Sequence, residues 1–185
     1  MNSFWLAFSK FWFKLVGWRL ASSIPPEIRQ AMMIAAPHTS NWDFIHARAA
    51  FFLMRRNVRF TVKKEWTDIP VLGKLMMSLG ALPIDRSKNN SMVEAMAELF
   101  KQYPDLIILI TPEGTRKYQP RWRRGYYHAA QAANVPILLG YLDYSKKEAG
   151  VGPAVYPTGN YDADEETVKA FYRTKQGRFP EQGIR

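Results

Sequence analysis

The chain contains no cysteine, an absence that removes disulfides, zinc–thiolate sites and a catalytic thiol together. No Gly-x-Ser-x-Gly segment occurs, so the serine-nucleophile elbow is missing as well. Histidine is scarce, with three in 185 residues. His46 and His128 stand apart from other ligand types, so no ligand set for a metal is expected. No apolar run reaches the roughly 20 residues needed to cross a bilayer, because Lys10, Lys14 and Arg19 break the segment Ser3 to Leu20. Its longest early apolar run, Phe4–Phe8, is also too short for a signal peptide. Acidic residues are the last shortage: 16 Asp and Glu against 26 Lys and Arg give a formal net charge of +10. That balance points to an anionic partner, whether nucleic acid, a membrane surface, a phosphorylated ligand or an acidic protein.

What is present is a globular composition, 47% apolar and 23% charged, of a length suited to one domain with a sizeable core. Aromatics reach 14%. Residues 1–64 carry 10 basic and 2 acidic side chains, so most of the excess charge lies in the first third. A second basic cluster follows later, at Arg116, Lys117, Arg121, Arg123 and Arg124.

Residues 1–23 read as an amphipathic helix at a membrane interface. At about 100° per residue, Lys10, Lys14 and Gly17 fall on one polar stripe, while Trp5, Phe8, Trp12, Trp18 and other apolar side chains cover most of the remaining circumference. Such an arc fits a helix lying between the domain and lipid headgroups, with Trp at the boundary and Lys toward anionic lipid. A wholly buried helix or an oligomer contact fits the same arc, and the oligomeric state is left open. Residues 24–176 then alternate between strand-like runs and helical stretches. The strands are expected near Ala31–Ala36, Val58–Val62, Ala81–Ile84, Leu106–Ile110, Ile137–Tyr141 and Val151–Val155. The helices are expected near Trp42–Arg55, Val71–Leu79, Met92–Tyr103, Tyr126–Asn134 and Glu165–Tyr172. This alternation predicts a single α/β domain with a largely parallel sheet flanked by helices. Residues 177–185 read as a loose tail.

In such a fold, functional groups gather where strands end in loops. His38 and Asp43 sit after the first strand, spaced so that the carboxylate folds back onto the ring and leaves the other nitrogen as a base. Ser40-Asn41-Trp42-Asp43 is also a capping-box pattern, in which Asp43 serves only the helix terminus. Leu106–Ile110 ends in Thr111-Pro112-Glu113-Gly114-Thr115-Arg116, either a phosphate-matching turn or a plain surface turn with one Arg. Gly80-Ala81-Leu82-Pro83-Ile84-Asp85-Arg86 ends a third strand in Asp-Arg, which as an ion pair needs no function.

Taken in order, His38 with Asp43, the block from Gly80 to Arg86, Pro112 to Arg116, and Val135-Pro136-Ile137 resemble the glycerolipid acyltransferases, which include the 1-acyl-glycerol-3-phosphate acyltransferases. The matches run from about residue 34 to 141, and the short bacterial members are the most similar. The resemblance implies His38 as general base and Asp43 as its orienting carboxylate. It implies Arg86, Glu113, Gly114, Thr115 and Arg116 as the acceptor phosphate site, with a structural role as the alternative for Glu113, and Val135, Pro136 and Ile137 as the acyl side of the pocket. Arg123-Arg124-Gly125 resembles the basic-basic-Gly segment that opens the next helix in many members. Three departures stand out: Pro37 where many members have Asn, Pro83 where Phe is common, and Leu138-Leu139-Gly140 where a second proline is usual.

The activity implied is transfer of a fatty acyl group from acyl-CoA or acyl-carrier protein to a hydroxyl of a lysophospholipid, with no cofactor. It would proceed in one ternary complex, with oxyanion donors expected among the backbone amides of the helix start after His38. The partners implied are membrane lipids and the acyl carrier, and the place is the cytoplasmic face of the bacterial inner membrane, as a peripheral or monotopic protein. Two other readings use the same residues: a thioesterase or lipase in which His38 activates water, and a binding module in which Tyr118, Trp122, Tyr126 and Tyr127 interleave with the second basic cluster to stack bases. No nucleic acid is expected as partner.

Overall fold

In the computed structural model, residues 3–84 and 92–185 are described. The order is α1 (Ser3–Val16), β1 (Arg19–Leu20), β2 (Gln30–Ala35), α2 (Trp42–Met54), β3 (Val58–Lys63), α3 (Lys64–Thr67), α4 (Leu72–Ser78), β4 (Ala81–Ile84), α5 (Met92–Gln102), β5 (Leu106–Ile110), α6 (Gly125–Ala133), β6 (Ile137–Asp143), β7 (Glu148–Val155) and α7 (Tyr161–Tyr172). The seven strands form one sheet in the order β1-β7-β6-β2-β5-β3-β4. Every neighbouring pair is parallel except β6 with β7. The expected α/β domain is therefore the one observed.

The short apolar runs become strands because both faces of the sheet are covered. Met32, Ile34, Ile108 and Leu139 turn toward α5, α6 and α7, where Met96, Tyr126 and Tyr172 meet them. Their alternates Ala31, Met33, Ile107 and Leu138 turn toward α1 and α2, against Phe13, Ala50 and Phe51. A one-residue slip in β2 would exchange these sets, so packing fixes the register. Burial of these two layers, at about 25 cal/mol per Å² of apolar surface, is the main stabilising term.

Three expectations about the ends of elements change. Helix α7 begins at Tyr161 rather than near Glu165, because the Asn160 side chain accepts from the Ala163 N–H at 3.3 Å and Asp162 and Asp164 favour the positive end of the helix dipole. Residues 177–185 are packed rather than loose: the Phe179 N–H donates to Thr39 Oγ1 at 3.2 Å, and Ile184 joins the core. The N-terminal helix ends at Val16, before Gly17 turns the chain at φ +70°. Trp18 therefore leaves the helix and enters the core, where it stacks on His46 at 4.3 Å, and it is not an interface residue.

Trp5 and Trp12 turn inward against α2, stacking on Phe52 and Trp42. The face left outward is Phe4, Phe8, Phe11 and Leu15, which are 62, 40, 62 and 63% exposed and lie one above another at helical spacing. Lys10 and Lys14, both exposed, flank that stripe. Among the described residues no helix is long and apolar enough to cross a membrane.

Candidate active site

Strands β6, β2 and β5 are parallel neighbours, so their carboxyl ends open on one edge of the sheet. The loop after β2 carries His38 through Asp43, the loop after β5 carries Pro112 through Arg116, and the turn after β6 carries Tyr144. The first two loops are pinned together where the backbone N–H of His38 donates to Glu113 Oε2 at 2.7 Å. Glu113 is thus a positioning residue for the histidine loop, and it does not line the cavity.

Asp43 is the hub. Its Oδ2 lies 3.0 Å from His38 Nδ1 and accepts the N–H groups of Thr39 and Ser40, each at 3.0 Å. Its Oδ1 accepts the hydroxyl of Tyr144 at 2.6 Å. Ser40 Oγ in turn accepts the Trp42 N–H at 3.2 Å. Both readings of this segment therefore hold at once: Asp43 secures the start of α2 and also orients the imidazole. An ionised carboxylate only accepts, so Nδ1 carries the ring proton and Nε2 is the nitrogen left to act as a base. The amides of Thr39 and Ser40, which lie between His38 and the helix, are already taken by Asp43.

Tyr144 had no motif to announce it. Only the parallel pairing of β6 with β2 brings it beside Asp43, and burial together with the Asp43 hydrogen bond raises its phenol above the usual range. Behind it lie Trp18 and His46, both in contact with its ring edge-on. His46 accepts the Trp12 indole N–H at 3.2 Å, and burial lowers its pKa, so it packs as a neutral ring.

His38, Asp43, Gly114 and Arg116 line one cavity of about 860 Å³. Gly114 adopts φ +67°, and a Cβ there would come within 2.7 Å of Arg123 Nε, so only glycine lets the Arg123 fork lie across the turn. Arg123, noted in the sequence only within a basic run, thus joins Arg116 in the cavity wall. Thr115 does not line it. Its hydroxyl accepts the Lys117 N–H instead. Arg124 is directed away, to Asp162 at 3.0 Å. Arg86, with Asp85, lies outside the described residues.

Val135, Pro136 and Ile137 are corrected outright. They precede or open β6 at its amino end, where Ile137 pairs with Met32, opposite the edge that carries His38, and none lines the cavity. Val135 and Ile137 are core residues, which explains the apolar pattern without an acyl contact. Trp122, Tyr126 and Tyr127 are likewise buried in the core, so three of the four rings read as a stacking platform are closed to bases. Among the described residues no group of His, Asp and Glu is arranged to hold a metal ion.

A family model described as Acyltransferase matches residues 20–138, well over half of the chain. The chain belongs to the acyltransferase family. The resemblance read from the ordered motif blocks is thereby borne out. The crystal structure of the 1-acyl-sn-glycerophosphate (LPA) acyltransferase PlsC from Thermotoga maritima is similar in fold, with a TM-score of 0.59 and 16% identity over 90% of this chain and 76% of that one. No curated protein matches the sequence significantly.

In this acyltransferase, burial pushes the Glu113 carboxyl from 4.5 up to about 7, against the opposing pull of the His38 amide. A folded value above the unfolded one means the contribution to stability is fully present below about pH 4.5 and lost as pH rises through 7. A shift of that size is worth about 3 kcal/mol. Glu113→Gln keeps an oxygen for the His38 N–H and cannot ionise. Its melting temperature is expected to escape the decline that the unaltered protein shows across that window. Parallel curves would mean that the carboxyl does not titrate there.

Proposed function

We propose that this acyltransferase moves a fatty acyl group from acyl-CoA or acyl-carrier protein to a hydroxyl of a lysophospholipid, 1-acyl-glycerol-3-phosphate or a related acceptor, with His38 as general base and Asp43 as its orienting carboxylate. The observation that carries this reading is the His38–Asp43 pair, 3.0 Å apart, lining a cavity that also holds apolar walls and the guanidinium groups of Arg48, Arg116 and Arg123. The apolar walls suit an alkyl chain, and Arg116 and Arg123 suit phosphate oxygens. The acceptor oxygen attacks the thioester carbonyl as Nε2 takes its proton. Collapse of the tetrahedral adduct then breaks the C–S bond, and the departing sulfur receives that proton. A thioester is activated, so one positioned base, worth about 10²–10⁴ in rate, serves the step.

The phosphate assignment has its own expected result: Arg116→Ala weakens a phosphorylated acceptor at least about tenfold and a neutral one far less, the loss of one charge-assisted hydrogen bond. Equal losses in acceptor KM would remove Arg116 from that role.

The seat of the reaction is a membrane surface on the cytoplasmic side, with α1 lying in the interface. Support comes from the outward stripe of Phe4, Phe8, Phe11 and Leu15 beside Lys10 and Lys14, a pattern suited to apolar insertion flanked by anionic headgroups. Phe8, Phe11 and Leu15 changed together to Ser should lower partitioning onto vesicles containing phosphatidylglycerol by about tenfold or more. Unchanged partitioning would overturn the role of this face.

The function as a whole is tested by offering the protein hexadecanoyl-CoA or hexadecanoyl-carrier protein with a panel of lysophospholipids and following products by mass spectrometry. Diacyl product that appears only with acceptor supports acyl transfer. Thiol release at full rate without acceptor would make the protein a thioesterase instead.

A further inference from the structure

One buried charge in the cavity has no role in the scheme above. Arg48 lies on α2 five residues beyond Asp43, about 7.5 Å along the helix axis at the usual rise. The residue is 7% exposed and lines the same cavity as His38. Its Nη1 donates to the Val58 carbonyl at 2.9 Å, and its guanidinium lies 4.7 Å from the centre of the Phe52 ring. Its Nε is buried and has no hydrogen-bond partner among the described residues. Gly80, at φ +91°, makes the space: a Cβ there would fall 2.9 Å from Nη2.

No acid among the described residues pairs with this guanidinium, and its charged neighbour is another cation, Arg59. Burial brings the group down to about 10, which still leaves it charged at neutral pH. A buried cation with an open donor is costly, and such groups normally meet an acceptor. Phe44, Ala47 and Phe51 beside it on α2 make this arm of the cavity apolar, while Arg116 and Arg123 stand on the wall built by the β5–α6 segment. An acyl chain, rather than the phosphate of an acceptor, is the ligand part that suits this arm.

We propose that Arg48 is a specificity-determining residue that hydrogen-bonds an oxygen carried by the acyl chain well beyond its carbonyl, a hydroxyl or a terminal carboxylate. The proposal rests on the reading of the protein as an acyltransferase using an acyl thioester. A plain alkyl chain filling this arm offers the buried guanidinium no acceptor. A site built to hydrogen-bond an oxygen disfavours the analogue that lacks it, because its own polar group is then stranded. Replacing the guanidinium by an apolar side chain removes that penalty and gives up one hydrogen bond, to the Val58 carbonyl, a modest cost to folding.

The test compares the unaltered protein with Arg48→Met and Arg48→Lys. The donors are hexadecanoyl-CoA, the same chain with a mid-chain hydroxyl, and the same chain ending in a carboxylate. The kcat/KM ratio of an oxygen-bearing chain to the plain chain is expected to fall by about tenfold or more in Arg48→Met. Arg48→Lys keeps the charge, lacks Nε and is expected to lie between. Calorimetric binding of the three free fatty acids, with no acceptor present, should show the same change in ratio. Equal ratios in all three proteins overturn the proposal, as does a loss in Arg48→Met that is the same for every chain. A rise in acceptor KM with unchanged donor ratios overturns it too, placing Arg48 on the acceptor. If no transfer occurs with any acceptor but the binding ratio still depends on Arg48, the proposed reaction fails while the chain-oxygen site stands.

Discussion

Replacing His38 by Ala is expected to lower acyl transfer by about 10³-fold while the protein stays folded. The two halves of this expectation have separate causes. In the proposed reaction Nε2 is the base of the Asp43-bound ring, and a positioned base contributes about 10²–10⁴. The fold persists because the loop does not depend on the imidazole. Asp43 keeps the N–H groups of Thr39 and Ser40 and the Tyr144 hydroxyl, and the His38 backbone N–H keeps Glu113 Oε2. A melting temperature within a few degrees of the unaltered protein, with kcat reduced and donor KM little changed, is the combined result to look for. Activity retained within tenfold would remove His38 from the chemistry. A collapse of melting temperature would make it a structural residue.

How much of this was legible in the chain depends on the distance over which each signal acts. The strands β2 and β5 were evident, because apolar runs bounded by turn residues are local. The pair His38 and Asp43 was evident for the same reason, being five residues apart across one loop. Tyr144 was not: it meets Asp43 across 101 residues of sequence, and only strand order brings the end of β6 beside the end of β2. Glu113 lies in a legible motif, but nothing local shows that its structural role is to hold a backbone amide 75 residues away.

Where the fold departs from the local pattern, the causes are equally physical. Val135-Pro136-Ile137 came from motif likeness, and the fold puts the segment at the opposite end of β6 from the site. Trp18 was placed on the interfacial helix because periodicity continues through Gly17. A glycine at φ +70° ends the helix and turns the indole inward. Periodicity also leaves open which part of the α1 arc, Trp5 and Trp12 included, turns outward. An arc covering most of a helix does not say which part meets the protein, and α2 takes the tryptophan side.

Asp43→Asn is expected to cost nearly as much activity, about 10³-fold, and it separates the two jobs that the sequence left open. An amide with its oxygen at the Oδ2 position still accepts the Thr39 and Ser40 N–H groups, so the start of α2 survives. The loss of negative charge at the helix N-terminus costs about 1 kcal/mol. Its NH₂ then faces the Tyr144 hydroxyl, which must turn from donor to acceptor. The imidazole loses more. A neutral amide no longer stabilises the imidazolium that forms when Nε2 takes the acceptor proton. With its oxygen at the Oδ2 position the amide still accepts the Nδ1 hydrogen, so the loss falls on the charge of the imidazolium and not on the tautomer. A residue that only capped the helix would show the small stability loss with kcat intact. An orienting carboxylate shows a kcat loss far larger than the stability loss explains, together with a shift in the pH dependence of kcat. Tyr144→Phe is the matching control. It removes one donor from Oδ1 and leaves the charge, so its effect on kcat should be about tenfold, the worth of one hydrogen bond to a charged group. If Asp43→Asn and Tyr144→Phe gave the same kcat, the charge of Asp43 would carry no part of the catalysis.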